Sequence, residues 1–270
     1  MERKPVCLTI AGLDPSGGAG IIADLRTFGA FGCYPTAAVT SLTFQNTRGV
    51  FGAENQSAAT LRGQVEPVLK DLDVVAVKTG MLPSKQCIDE VAELVEEFNI
   101  GTLVVDPVVR STSGFDLVDD AAVRALVERL FPIASIVTPN MAEAEKITGI
   151  AIDSEDDVID AAEIMQSQGA RSVLIKGGHL RTIAPDRIAR DHLFIFGERE
   201  DIDGEYHQTT DTHGSGCTLA AAITANLALG HELSASVKIA KAFVNDAIRT
   251  AVKIGHGNSP VNIPAIWRPE

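Results

Sequence analysis

Residues 157–178 read DVIDAAEIMQSQGA and then RSVLIKGG, and the change of period between the two halves decides the fold. In the first half Val158, Ala161, Ala162 and Met165 recur at helical spacing, which predicts an amphipathic helix. In the second half the apolar residues run together and empty into Lys176 and two glycines. A short strand with no polar face is expected where both faces of a sheet are covered, as in a parallel sheet packed between helices.

The same alternation runs along the chain. Strands are predicted at 6–12 (VCLTIAG), 36–42 (TAAVTSL), 74–80 (VVAVKTG), 102–108 (TLVVDPV), 135–139 (SIVTP) and 172–178. Helical patterns lie between them, among them IIADLRTFGAF, SAATLRGQVEPVLKDL, QCIDEVAELVEEF and DDAAVRALVERLF. DHLFIF and EYHQT read as two further strands of a hairpin, and two long helices near 215–229 and 234–253 precede an irregular tail. The expectation is an α/β, three-layer fold with a central, mostly parallel sheet flanked by helices. No linker, repeat or low-complexity segment interrupts it, so 1–270 is read as a single domain.

Bulk composition narrows the function. A formal charge of −13 and ten Phe, two Tyr and one Trp in 270 residues argue against a nucleic-acid partner, which wants positive charge and stacking rings. No apolar run is long enough to span a membrane, and the N-terminus lacks a signal-peptide layout. Cys7, Cys33, Cys87 and Cys217 are scattered, without the spacing of a zinc site or disulfide framework, which predicts a reducing, cytoplasmic setting.

In open α/β sheets ligands bind beyond the carboxyl ends of the strands. Those ends read GLDPSGGAG, TFQNT, KTGM, VDPVV, TPNMAE and KGGH, with THGSGC further on. The loop at 12–20 fails as a phosphate loop of the GxxxxGK type, because Gly18 stands where lysine is needed. It fits a bare GxGxxA but lacks the acidic residue about 20 positions on that a dinucleotide site requires. THGSGC is more informative. Gly214, Ser215, Gly216 and Cys217 open an alanine-rich helix whose first-turn N–H groups and dipole suit an anion. A glycine turn before a packing helix accounts for the segment equally well.

Taken together, GLDPSGGAGIIADLRTF, FQNTRGV, VKTGML, VDPVV, TPNMAEAE, IKGGH and THGSGCTLAAAI resemble the hydroxymethylpyrimidine/phosphomethylpyrimidine kinases of thiamin biosynthesis, in the ribokinase-like superfamily. The resemblance runs from about residue 6 to GHGNSP at 255–260. It implies ATP and Mg²⁺ as cofactors, a homodimer, and transfer of phosphate to the hydroxymethyl group of an aminopyrimidine. Residues 214–217 would then form the anion hole, and Cys217 would take the acceptor proton as a thiolate or orient the hydroxyl. A helix N-terminus can lower a thiol pKa.

The other roles implied fall on residues with simpler readings beside them. Gln45 would meet the amino and ring-nitrogen edge of the pyrimidine, as Gln meets adenine, with Asp24 on the substrate's other side and Gly12, Met81 and Val108 as walls. Asn140 and Glu143 would hold Mg²⁺ near Asp106, though Asn followed three residues later by Glu is also a capping box. Lys176 would pair with ATP phosphates, and Thr212 and His213 would line the nucleotide side. The loop at 177–187 is a candidate flap. Pyridoxal kinases of the same superfamily are the nearest rival. A non-catalytic pyrimidine or vitamin sensor and a nucleotide-dependent oxidoreductase are rivals from other classes.

Overall fold

The computed structural model describes residues 3–109, 118–177 and 188–267. The helix and strand of the opening stretch are α6 (Glu155–Ser167) and β7 (Ser172–Ile175). The chain begins with β1 (Val6–Leu13), α1 (Gly20–Ala30), β2 (Tyr34–Asn46), β3 (Gly49–Asn55), α2 (Ala58–Asp71) and β4 (Val74–Thr79). It continues through α3 (Lys85–Glu97), β5 (Leu103–Val105), α4 (Asp120–Ala125), β6 (Ile136–Val137) and α5 (Met141–Thr148) to α6 and β7. After them come β8 (Asp191–Ile195), β9 (Glu198–Ile202), α7 (Ser215–Ala228) and α8 (Leu233–Arg249).

Among the described residues, nine strands form one sheet in the order β3-β2-β1-β4-β5-β6-β7-β8-β9. From β2 to β7 every pairing is parallel, and β3, β8 and β9 add antiparallel edges. The continuous apolar strands have the expected cause. Val105, Val137, Val173 and Ile175 pack on one side with residues of α2, α3, α5 and α6, while Val104, Ile136 and Leu174 pack on the other with α1, α7 and α8. The three-layer, mostly parallel architecture is as predicted.

Two strands escaped the sequence reading. The hairpin partner of β8 is β9, not EYHQT, and Glu205 makes only an isolated bridge to Ile188. The β9 residues Glu198, Arg199, Glu200 and Asp201 are charged, as suits an edge strand whose open side must not pair further. The turn before it, Phe196-Gly197, has positive φ at both residues, as a type I′ hairpin turn requires. The second is β3, which pairs with the far end of β2. Because β1 is paired with β2 only as far as Leu42, residues 43–46 run on with β3 as a two-stranded arm beyond the sheet.

Strand order reverses between β1 and β4, since β2 lies on one side of β1 and β5 on the other side of β4. Such a switch point leaves a crevice at the strand ends. The arm rises beside it. α2 to α6 each begin with a side chain (Ser57, Ser84, Asp119, Asn140, Ser154) accepting from a first-turn N–H. α1 and α7, which start at the crevice, have no such cap.

Candidate active site

A cavity of about 810 Å³ opens at the switch point, within the range of small-molecule sites. Gly12, Gln45, Met81, Asp106, Val108, Asn140, Glu143, Lys176, Thr212, His213, Gly214, Ser215, Gly216 and Cys217 all line it. Segments scattered over two hundred residues of sequence are thus gathered by the sheet into one chamber.

Two glycine loops build its floor by fitting into each other. Gly214 caps α7 at φ 80°, and a Cβ there would lie 1.8 Å from the Gly18 carbonyl oxygen. Conversely, a Cβ on Gly18 would lie 2.4 Å from the His213 ring. The loops are also tied electrostatically through Asp14, a buried residue that sequence reasoning passed over. Its carboxylate accepts from the N–H groups of Ser16 (2.8 Å), Gly18 (3.1 Å) and Ala19 (2.9 Å), and from the Ser16 hydroxyl (2.7 Å). His213 Nε2 lies 2.8 Å from the same carboxylate. Burial alone would raise the Asp14 pKa, but the His213 and Ser16 hydrogen bonds outweigh it and hold the carboxyl below its usual range. The signal was present in sequence: Asp followed two residues later by Ser, before glycines, is an Asx turn.

Lys176 leaves the end of β7 and reaches Asp106 Oδ1 at 3.1 Å and Glu143 Oε2 at 3.9 Å. A Cβ on Gly216 would sit 3.3 Å from its Nζ, so the ammonium lies against the α7 start. Burial disfavours that charge, yet Asp106 and Glu143 more than compensate and the Lys176 pKa is raised. It is not a solvated terminus.

Asn140 and Glu143 do form the capping box: Asn140 Oδ1 accepts from Glu143 N at 2.9 Å and Glu143 Oε2 accepts from Asn140 N at 2.8 Å. Both line the cavity as well, so cap and site are one element. Burial, with Asp106 nearby, lifts the Glu143 carboxyl to about 7 against the pull of Lys176. For a divalent ion the donor set is sparse, and no group of three or more His, Cys, Asp or Glu converges among the described residues. Two carboxylates on the cavity wall nevertheless fit Mg²⁺, which takes one or two carboxylates and draws its other ligands from phosphates and water.

Two expectations change. Asp24 does not reach the cavity: it is fully buried beneath it, where Lys78 Nζ donates at 2.8 Å and the Thr9 hydroxyl at 2.6 Å. Lys78 itself lines the cavity and was missed, although a lysine inside the apolar run VVAVKTG had to be buried or end the strand. Cys217 also departs from the idea of a thiol activated by the helix start. Burial, with Asp106 and Asp24 nearby, raises its pKa to about 11, and Lys78 only partly opposes them. That shift favours the thiol over the thiolate at neutral pH. The proposed flap falls, from residue 178 onward, outside the described residues.

A chain this acidic that nonetheless sets the buried Lys78, the part-buried Lys176 and an uncapped helix start around one cavity is organised to handle moving negative charge. On the ribokinase-like sheet, that defines a small-molecule kinase. Residues 14–262 match the family model described as phosphomethylpyrimidine kinase, and the chain belongs to that family. It is 42% identical to the hydroxymethylpyrimidine/phosphomethylpyrimidine kinase of Haemophilus influenzae, covering 97% of both chains. It is 43% identical to the thiamine biosynthesis bifunctional protein ThiED of Geobacter sulfurreducens, covering 94% of this chain and 51% of that one. Among solved structures it resembles phosphomethylpyrimidine kinase from Clostridium difficile, with 42% identity, TM-score 0.79 and coverage of 91% and 100%. Pyridoxal kinase from Staphylococcus aureus, in complex with AMP-PCP and pyridoxal, superposes with TM-score 0.89 at 32% identity over 98% and 95%.

Proposed function

We propose that this kinase transfers the γ-phosphoryl group of ATP to the hydroxymethyl oxygen of 4-amino-5-hydroxymethyl-2-methylpyrimidine, and then phosphorylates the monophosphate to the diphosphate. The observation that carries the reading is that Gln45, on the arm, lines the same cavity as residues 214–217. An acceptor ring held by Gln45 presents its hydroxymethyl group to the α7 start. Lys176, Thr212 and His213 lie on the ATP side. In each step the bond from the γ-phosphorus to the β–γ bridging oxygen breaks and ADP leaves, while a P–O bond to the acceptor oxygen forms. The alcohol proton of the first step passes to the transferred phosphoryl group, and the ionised phosphate oxygen that accepts in the second has no proton to lose. The first-turn N–H groups of α7 and the Lys176 ammonium stabilise the charge that spreads over the transferred group. Asp106 and Glu143 would hold Mg²⁺, which when bound neutralises phosphate charge, and Asn140 fixes the Glu143 carboxylate. Cys217 orients the acceptor hydroxyl as a thiol. We place the enzyme in the cytoplasm as a homodimer. Free cysteines and the absence, among described residues, of any helix able to cross a membrane are consistent with the first. Exposed Phe44 and Phe51 on the arm, and Leu42 at its base, favour the second.

Replacing Gln45 tests the acceptor class. A bidentate amide contact to a base edge discriminates by about 1–3 kcal/mol. Gln45→Leu should therefore lower kcat/KM for hydroxymethylpyrimidine by roughly 10- to 100-fold while changing that for pyridoxal less than threefold. An equal fall for both would remove the pyrimidine contact from Gln45.

The role of Cys217 is read from a pH profile. With a pKa of about 11, roughly one thiol in 10⁴ is ionised at pH 7, and that fraction grows tenfold per pH unit. Were the thiolate the base, kcat would climb tenfold per unit from pH 7 to 9. The orienting role predicts no such climb. A tenfold-per-unit rise that Cys217→Ala abolishes would restore the base.

A further inference from the structure

The segment GHGNSP at 255–260 has no part in the chemistry above, yet it joins two motifs that do. At one end it grips Thr47, two residues beyond Gln45 at the tip of the arm. Gly257 N donates to Thr47 Oγ1 at 3.2 Å, and Asn258 N donates to the Thr47 carbonyl at 2.7 Å. The fit leaves no room for side chains: a Cβ would lie 1.9 Å from the Thr47 carbonyl oxygen at Gly257 and 2.5 Å from Thr47 Oγ1 at Gly255. At the other end, His213 N donates to the Ser259 carbonyl and Val261 N to the His213 carbonyl, both at 3.2 Å. Asp211 Oδ1 accepts from Ser259 N at 3.0 Å. His213 precedes Gly214 and holds Asp14, so the strap ends on the residue that locks the two glycine loops together.

We infer that residues 255–261 are a positioning strap, with Thr47 its hub, that sets the distance between Gln45 and the anion hole. The inference rests on the reading that Gln45 holds the acceptor ring. Among the described residues the arm is otherwise held by the ladder between β2 and β3 and, at its base, by the Thr43 hydroxyl on the Leu13 carbonyl (2.8 Å). An acceptor gripped at one end by Gln45 and attacking from the other requires those two points to be fixed relative to each other. A misplacement of about 1 Å can cost roughly 100-fold in rate. Among the described residues the strap's hydrogen bonds toward the ATP side go to His213 and Asp211, at the end away from Thr47, so loosening its Thr47 end affects the acceptor and spares the nucleotide.

Thr47→Val tests this, because it deletes the acceptor for Gly257 N and keeps the β-branched shape. Kinetics on the purified enzyme should show kcat/KM for hydroxymethylpyrimidine lowered about tenfold, within the scale of positioning effects. KM for ATP should stay within twofold of wild type, and Thr47→Ser, which keeps the hydroxyl, should recover near-wild-type kinetics. Amide hydrogen exchange at residues 44–50 should quicken in Thr47→Val and not in Thr47→Ser. Gly257→Ala, which pushes the strap off the Thr47 carbonyl, should reproduce the Thr47→Val pattern. Unchanged exchange in Thr47→Val, a Thr47→Ser variant as impaired as Thr47→Val, or KM values for ATP and acceptor rising together would overturn the strap. A wild-type enzyme inactive on the pyrimidine would sink the functional reading instead, and the exchange experiment would still decide whether the strap holds the arm.

Discussion

Gly214→Ala is expected to lower kcat by about 100-fold or more, the scale set by removing one donor from an oxyanion-type site. The backbone at this residue has φ 80°, where an L side chain is strained by about 1–2 kcal/mol. Strain is the smaller part. The new methyl would meet the Gly18 carbonyl oxygen at 1.8 Å and its carbon at 2.8 Å, and neither is a side chain that can swing aside. One of the two loops must move, and with it either the α7 start or the Asp14 turn against which it is packed. Steady-state kinetics together with circular dichroism would check this. A folded variant within threefold of wild type would show that the α7 start does not face the transferred group.

Lys78→Met is expected to be the most destabilising single change at the site. Lys78 and Asp24 are both fully buried, 2.8 Å apart. Burial works against both charges and raises the Asp24 carboxyl despite the pull of Lys78, but at the lysine Asp24, with Cys217 and Asp106 adding to it, outweighs burial and keeps the ammonium protonated. Removing one partner of such a pair leaves an uncompensated charge in the interior and costs about 3–5 kcal/mol. In a domain of this size that is a fall in Tm on the order of 10 °C. The double variant Asp24→Asn/Lys78→Met, which buries no charge, should regain much of the loss, and thermal melts of the wild type, Asp24→Asn, Lys78→Met and the double variant close the cycle. If the double variant is as unstable as the two single changes added together, the pair is not a coupled ion pair.

What the sequence makes legible here follows from what hydrophobic period encodes. The parallel strands stand out because both faces are buried, and for the same reason their ends could be read as pocket positions. Gly12, Met81, Val108, Lys176 and residues 214–217 all line the cavity as expected. β9 is invisible to that method, since an edge strand protected by charge has no apolar run. The arm was hidden because the last third of β2 and all of β3 leave the core. Asp24 and Lys78 show a different limit. Spacing placed Asp24 early on α1, near the crevice, but whether it points into the cavity or under it depends on the neighbouring strand. Only the pairing of β1 with β4, which sets Thr9 beside Lys78, decides that. Cys217 shows a related limit: the helix start is legible in sequence, whereas the desolvation that pushes its thiol pKa up is not.

The most direct test of the central claim is turnover of the wild-type enzyme with ATP and Mg²⁺, offered separately hydroxymethylpyrimidine, its monophosphate and pyridoxal, with products identified by mass. The account predicts a phosphate ester from hydroxymethylpyrimidine, a diphosphate from the monophosphate, and a higher kcat/KM for the pyrimidine than for pyridoxal. Phosphorylation of pyridoxal alone, or of none of the three, would contradict it.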